Sequence, residues 1–480
     1  VIKTYEDVIA LIKKHNIKII DFKEIDLDGR WHHLSIPVER FNKDLLEKGI
    51  GFDGSSYGFL TVEKSDMVFI PDITSAFVDP CQETPTISMI GDIYRINNGY
   101  VRFESDPRFV AEKAEKFMKD AKISDNCLFG PEFEFYVLDN MEFRTEMNHI
   151  EVHLDSAQGA WNSINSPYDE FGKNKGYKVM RNKGYHADIP FDVSNNLRNK
   201  LVRILEENNI PVKYHHSENG GPGQVEIEVE FATLKEMADR SQKLKYILKN
   251  VAVANDKTIT FMPKPFFGEC GSGMHVHFQM FNKGKPIFYK EGGYSNLSDI
   301  ALHAISGILE HSSALTAFCC PSTNSYKRLV PGYEAPVTIC FATANRSSVI
   351  RIPGYAIKPE DKRFEFRPAD ATANPYLCFS AIAMAAIDGI QKKSCPTALG
   401  FGPYDKNMYN LTEEEKKTVK SLPKSLDEAA DALEKDHEFL LNGGVFSKEL
   451  ITSQLKKLRK DAEEVNMMPH PIEFKKYYDL

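Results

Sequence analysis

The sequence predicts an α+β protein in two parts, divided near residue 104. Three observations carry this expectation. The first hundred residues mix one helix with short β-rich runs, a helix start is written at Asp106–Pro107, and beyond it short strands alternate with helices of uneven length. Taken in order, VIKTYEDVIALIKKHNIK has the amphipathic spacing of a helix over about 5–15. The runs IKIIDFKEIDLDG and HHLSIP read as strands, and the DLDG between them is a hairpin turn signal. In FESDPRFVAEKAEKFMKDA, Asp106 can cap a helix whose first position is Pro107, where the missing N–H costs nothing. Residues 156–190 form a loop-rich patch. Near the end, Ser425 and Glu428 make a capping box before LDEAADALEKDHEFLL, and Gly443 and Gly444 should terminate that helix. The expected domains are 1–104 and 105–480, with no internal repeat or low-complexity tract.

Bulk properties narrow the function. A formal net charge of −8 argues against nucleic acid as a main partner. The longest apolar runs, ALHAISGILEHSSALTAF and CFSAIAMAAIDGI, carry polar residues and fall short of a membrane span, so no membrane role is expected. The amino-terminal helix pattern lacks the layout of a signal peptide. Eight cysteines are scattered without repeated spacing, which gives neither a disulfide framework nor a zinc pattern and favours a reducing, cytoplasmic setting.

Four strands have one ionisable face each. In GPEFEFYV, Glu132 and Glu134 share a side, with Phe133 and Phe135 on the other. VEIEVEF alternates Glu226, Glu228 and Glu230 with apolar residues, GMHVHFQ places His275 and His277 together, and RFEFR sets Arg363, Glu365 and Arg367 behind two phenylalanines. A single such strand would ordinarily turn its polar side to water. Here the faces carry almost only Glu, His and Arg, and carboxylates crowded on adjacent strands repel. A positive group must neutralise them. Oxygen ligands with one imidazole suit Mg²⁺ or Mn²⁺, and Glu132, Glu134, Glu218, Glu226, His275 and Glu365 suffice for two positions of three protein ligands each. Sparse coordination of that kind leaves room for phosphate oxygens.

A basic constellation follows. Arg328, Arg346, Arg351, Arg363 and Arg367 offer guanidinium forks that match phosphate and carboxylate oxygens, in a chain of net negative charge. The PGYEAP stretch, with Glu334 between two prolines, reads as a stiff loop able to cover a site.

Together these segments resemble the bacterial type I glutamine synthetases, of the adenylylated subtype, over nearly the whole chain. The matching stretches are FDGSS, KSDM, FGPEFEF, HHSENGGPGQVE, FMPKPFFG, GSGMHVH, STNSYKRLVPGYEAP, NRSSVIRIP, RFEFRPAD and NPYLCFSAI. The resemblance implies an amino-terminal β-grasp domain, and a catalytic domain whose curved antiparallel sheet, flanked by helices, forms a funnel between subunits. It implies a homododecamer of two stacked hexameric rings, with each site completed by a neighbour's amino-terminal domain. MMPHPIEFKKYYDL would tie the rings together.

The implied reaction joins ammonium to the side-chain carboxylate of L-glutamate through γ-glutamyl phosphate, with ATP as the phosphoryl donor. By resemblance, Glu134, Glu218 and Glu226 look like ligands of the metal nearer glutamate, and Glu132, His275 and Glu365 like ligands of the metal on the nucleotide phosphates. Arg346, Arg351 and Arg363 would surround the phosphates, and Phe231 and His277 would contact the nucleotide. Arg328, Arg367 and the backbone at Gly271 would hold glutamate, beside Glu134, His275 and Glu334. Asp53 of an adjacent subunit, with Glu334, would attract ammonium and take its proton.

Some positions depart from the family pattern. Cys270 stands where an asparagine is usual, Gln279 replaces a serine near the nucleotide, Glu230 replaces an arginine, and RNKGYHADIP differs from the usual loop while keeping Tyr185. Tyr409, in KNMYNLTEEE, aligns with the tyrosine that an adenylyltransferase modifies in the adenylylated subtype; the alternative is a plain surface tyrosine in an exposed loop before a helix capped by Thr412. Two other functional readings exist. One is a ligase of the same fold using a larger amine, and the other a non-catalytic ring scaffold, which would have no use for clustered charge that costs stability.

Overall fold

A mixed sheet of seven strands builds the amino-terminal part: β1 (Ile19–Ile25), β2 (Trp31–Pro37), β3 (Ile50–Asp53), β4 (Asp66–Pro71), β5 (Phe77–Val78), β6 (Thr86–Ile96) and β7 (Tyr100–Arg102). The computed structural model describes residues 2–60, 62–163, 175–333, 335–416 and 419–478. The sheet order is β2-β1-β6-β4-β3, with β5 and β7 also on β6; β1 runs parallel to β6 and the other pairs are antiparallel. The expected hairpin is present, closed by Asp26 N–H donating to the Arg30 carbonyl. On one face Ile20, Phe22, Phe69 and Met89 pack with Val8 of the helix Tyr5–Lys14. The alternate residues of β1 are buried too, because they meet the second part. Lys23 lies 2.7 Å from Asp21 and 4.3 Å above the ring of Tyr246.

The second part contains β8 (Asn126–Leu138), β9 (Asn140–Glu146), β10 (His149–Asp155), β11 (Val212–Ser217), β12 (Gln224–Val229) and β13 (Ala232–Thr233). It continues with β14 (Thr258–Thr260), β15 (Met274–Asn282), β16 (Lys285–Pro286), β17 (Thr338–Thr343), β18 (Ser348–Ile352) and β19 (Phe364–Phe366). Apart from the β9–β10 hairpin these form one sheet, with the path β11-β12-β8-β15-β19-β18-β17, antiparallel except where β17 meets β18. The even alternation in EFEF and HVHF places every aromatic on one side. There Phe129, Phe133, Phe135, Val276, Phe278 and Phe366 join a core closed by helices, among them Pro107–Asp120, Leu234–Val253 and Pro375–Lys392. Phe129 stacks on Phe379 at 5.0 Å between ring centroids, in a helix buried along almost its whole length. Asp106 caps its helix as expected, accepting from Arg108 N–H at 3.0 Å.

One helix differs from expectation. LDEAADALEKDHEFLL is not continuous: a helix spans Leu426–Lys435, the chain leaves helical geometry at Asp436, and a short turn of helix resumes over Glu438–Leu441. The local pattern is helical throughout, but a tertiary partner claims Asp436. Its carboxylate meets Nδ1 of His311 at 2.8 Å, while Asp388 meets Nε2 at 3.0 Å. Burial opposes the imidazolium, yet the two carboxylates hold His311 up at about 9. A folded value above the ordinary ~6.5 means that this stabilisation is complete below ~6.5 and lost as pH rises through about 9. It amounts to about 3 kcal/mol, shared with Asp388. We expect unfolding stability to fall across that window in the parent protein. In His311→Gln the slope should flatten, and equal slopes in both proteins would refute the assignment.

Candidate functional site

Strand register gathers the charged residues into one field. Across β12 and β8, Glu226 faces Glu134 and Glu228 faces Glu132; across β8 and β15, Glu132 faces His275. On the next strands His277 and Arg351 both face Glu365, and at the other edge His216 faces Glu226. Because side chains two apart share a side, these residues form a continuous polar surface over six strands, backed by the aromatic core.

Within it, Glu132 is central. One carboxylate oxygen meets Nδ1 of His275 at 2.9 Å and the other meets Nε2 of His277 at 2.8 Å. Glu365 is fully buried and accepts from both Arg351 and Arg367, with His275 Nδ1 3.6 Å away. Burial works against both charges, but His277 and His275 keep Glu132 well below the usual carboxylate range, and Arg367 and Arg351 bring Glu365 to about 2. The other side of the field has the opposite character. Burial, then Glu134 and Glu226, push Glu218 up to about 9; burial, then Glu132 and Glu134, push Glu226 well above the usual range. That side is short of positive charge.

Among the described residues, potential ligand atoms converge in three groups: Glu132 with His275 and Glu365; Glu132 with Glu228 and His277; and His216 with Glu218 and Glu226. The first is one of the expected triads. The third contains two of the other triad but has His216 in place of Glu134, whose Oε2 accepts from Gly273 N–H at 2.7 Å. Hard oxygen donors with imidazole, and a surplus of negative charge at Glu218 and Glu226, suit a hard divalent cation. Sequence reasoning missed His216, although Tyr214, His216 and Glu218 alternate like the residues it used.

A cavity of about 960 Å³ opens over the field, lined by Glu132, Glu134, Glu218, Glu226, His275, Arg346, Arg351 and Arg367, with Tyr185 and His216. Tyr185 packs edge-on to His216 at 5.5 Å between centroids. Phe231, Gln279 and Arg363 lie in a neighbouring cavity of about 430 Å³ with Glu230 and Tyr355, and the Arg363 guanidinium sits 5.7 Å above the Phe231 ring. His277 is buried behind Glu132. Arg328 does not present a bare fork: its Nη atoms donate to the carbonyls of Arg367, Pro368 and Ala369. Gly271 and Gly273 make room for it, since a Cβ would come within 2.7 Å of Arg328 Cγ at the first and 2.3 Å of Nη2 at the second.

Asp53 lies apart, exposed at the end of β3, and among the described residues none before Glu132 lines the large cavity. Hydrogen bonds from Ser55 and Ser56 hold its carboxyl at about 2, so it is ionised at any working pH. Glu334 lies outside the described residues. Tyr409 is not in a fully exposed loop; it is part-buried in a 3₁₀ turn, with its hydroxyl donating to the Ala335 carbonyl at 2.9 Å. Thr412 caps the helix Glu413–Lys416, as expected. Among the described residues, no helix is long and apolar enough to cross a membrane.

A seven-stranded amino-terminal sheet joined to a ten-stranded sheet with a carboxylate–imidazole face defines an α+β protein whose cleft could hold a divalent cation. The glutamine synthetase β-grasp domain profile matches residues 16–96 and the glutamine synthetase catalytic domain profile matches 104–477. Curated glutamine synthetases from Mycolicibacterium smegmatis and Aquifex aeolicus are 42% and 43% identical, covering 100% and 99% of this chain and 99% of each relative. The cryo-EM structure of Plasmodium falciparum glutamine synthetase superimposes with a TM-score of 0.89 at 28% identity, covering 99% of both chains. The chain belongs to the glutamine synthetase family. Its activity is that of a glutamate–ammonia ligase, using ATP and a divalent metal to form L-glutamine, ADP and phosphate from L-glutamate and ammonium.

Proposed function

We propose that the register-paired field performs this ligation with two cations, Mg²⁺ or Mn²⁺, in each subunit. Glu132, His275 and Glu365 would hold one, and Glu218 and Glu226, with Glu134 or His216, the other. When bound, such cations neutralise the carboxylates and the charge on the phosphates. The observation that supports this reading is the single polar surface running from His216 to Arg351, with converging donors at both ends.

The remaining chemistry falls to the chain's own groups. Arg346, Arg351 and Arg363 draw the ATP phosphates toward the glutamate side-chain carboxylate, and Phe231 borders the nucleotide, while the expected nucleotide contact of His277 is replaced by its buried bond to Glu132. Arg328, Arg367 and Gly271 form the glutamate shelf. The loop at 334 covers the γ-glutamyl phosphate, which excludes water, and the carboxylates of Glu334 and Asp53 collect ammonium and take its proton before attack. Asp53 comes from a neighbouring copy, consistent with its distance from the cavity of its own chain, in a homododecamer of two stacked hexameric rings. The domains divide at residue 104, the setting is cytoplasmic, and Tyr409 is the position an adenylyltransferase would address.

Asp53→Asn tests the acceptor assignment. It should lower turnover by about 10²-fold and raise the ammonium KM, with ATP and glutamate KM nearly unchanged. Phosphate release with ammonium, ethylamine and polyamines provides the second arm. A preference for an amine over ammonium in the parent protein would favour the larger-acceptor ligase, and unaltered ammonium kinetics in the variant would remove Asp53 from the site.

A further inference from the structure

A second cavity, of about 430 Å³, lies at the junction of the two domains, away from the polar field of the sheet. Its walls come from the β1–β2 turn, the helix Leu234–Val253, the start of the helix Pro375–Lys392 and the helix Lys448–Asn466. The charges on these walls are unequally satisfied. On one side Lys457 is neutralised by Asp461 at 2.7 Å and Asp28 at 3.5 Å. On the other, Arg30, Lys245 and Lys249 converge, and among the described residues none of the three has a carboxylate within ion-pair distance. Lys245 has only the Ala371 carbonyl, at 3.2 Å, and Lys249 lies 5.8 Å from the Phe261 ring.

Arg30 and Lys249 stand exposed at the rim and Lys245 is part-buried below them with Asp370 as the acidic group acting on it, so this side of the cavity presents a positive face that favours an anion. The charges respond accordingly. Burial and the adjacent Lys249 draw Lys245 down to about 7, and burial with Arg30 lowers Lys249. Below the cations the lining turns apolar at Phe261, Phe318 and Leu377, with the Thr260 hydroxyl at the boundary. A bare inorganic ion would leave this floor uncovered, whereas an organic anion would use both surfaces.

We propose that this junction cavity binds a small organic dianion, a phosphate ester or a dicarboxylate, whose charge is taken by Arg30, Lys245 and Lys249 and whose carbon body rests on Phe261, Phe318 and Leu377. The site is independent of the catalytic field, because it shares no lining residue with the large cavity. A ligand there bridges the β1–β2 turn to the catalytic domain, so occupancy raises the thermal stability of the domain junction.

Calorimetric titration of the intact enzyme, with its nucleotide sites filled by ADP and Mg²⁺, tests the assignment with phenyl phosphate and phthalate as probes. At least one probe should bind at one additional site per chain, and the tighter probe identifies phosphate ester or dicarboxylate as the preferred chemistry. The double variant Lys245→Met/Lys249→Gln should weaken that binding by about tenfold or more, with ammonium-dependent phosphate release within about twofold of the parent. Arg30→Gln, at an exposed position that leaves the core intact, should weaken it by about threefold and covers the case in which the double variant fails to fold. No binding of either probe to the parent protein, or parent-like binding in the variants, would overturn the proposal.

Discussion

Glu365→Ala should remove nearly all turnover, by about 10³-fold, and should also destabilise the protein by about 3–5 kcal/mol. Both effects come from one position. Glu365 has no exposed surface and accepts from the guanidinium groups of Arg351 and Arg367, so its removal leaves two buried cations facing each other with no anion between them. The same carboxylate belongs to the ligand group with Glu132 and His275, so a cation bound there would lose one of three protein donors. The two consequences can be separated. Glu365→Gln keeps the volume and an acceptor for one arginine while removing the charge, and should preserve more stability than the alanine variant with a similar loss of turnover. Manganese affinity, followed by calorimetry or electron paramagnetic resonance, should fall in both. Near-normal phosphate release together with parent-like manganese binding would show that Glu365 is only a structural partner of the arginines.

The residues that made this site legible in the sequence are those governed by a local rule. Alternation along GPEFEF, VEIEV, MHVHF and RFEFR fixes which side chains share a face regardless of what the strands later pair with. Pairing itself is non-local. Nothing in the sequence determined that Glu132 would face Glu228 on one neighbour and His275 on the other, or that Arg351 would oppose Glu365. His216 is an instructive omission, because the same alternation in YHHSE places it beside Glu218, but its place in the field is set by the non-local pairing that brings it opposite Glu226. Tertiary partners account for the other differences. Asp436 leaves its helix for His311, and Arg328 spends its Nη donors on carbonyls of a segment forty residues away, an arrangement made possible by two glycines whose role is steric. The family resemblance gave the activity; it did not give the electrostatic asymmetry of the field, in which Glu132 and Glu365 are satisfied by the protein while Glu218 and Glu226 are not.

Arg108→Met should cost about 3–5 kcal/mol of stability, the largest purely structural effect expected of a single replacement here. Arg108 is 1% exposed and its guanidinium joins the two domains. Nη2 donates to Asp72 at 2.6 Å and Nη1 to Asp92 at 2.8 Å, both on the amino-terminal side, while Nε and Nη2 reach the two carboxylate oxygens of Asp239 at 3.1 and 3.0 Å. Tyr376 donates to the same Asp239 oxygen as Nε, at 2.5 Å, which ties the network to the helix Pro375–Lys392. Methionine would fill the space of the stem but leave three carboxylates from two domains around an uncharged thioether. Arg102 and Lys235 stand nearby, at 3.1 Å from Asp92 and 3.9 Å from Asp72, and can relieve part of the repulsion, but neither reaches Asp239. A lysine in the same place would restore the charge without the planar fork that serves all three partners at once, so Arg108→Lys should recover stability only in part. Denaturant unfolding followed separately by Trp31 fluorescence, in a Trp161→Phe background, and by far-ultraviolet circular dichroism should show the amino-terminal transition moving earlier in Arg108→Met. Coincident transitions at the parent midpoint would mean that the domains are held together by their apolar contacts alone.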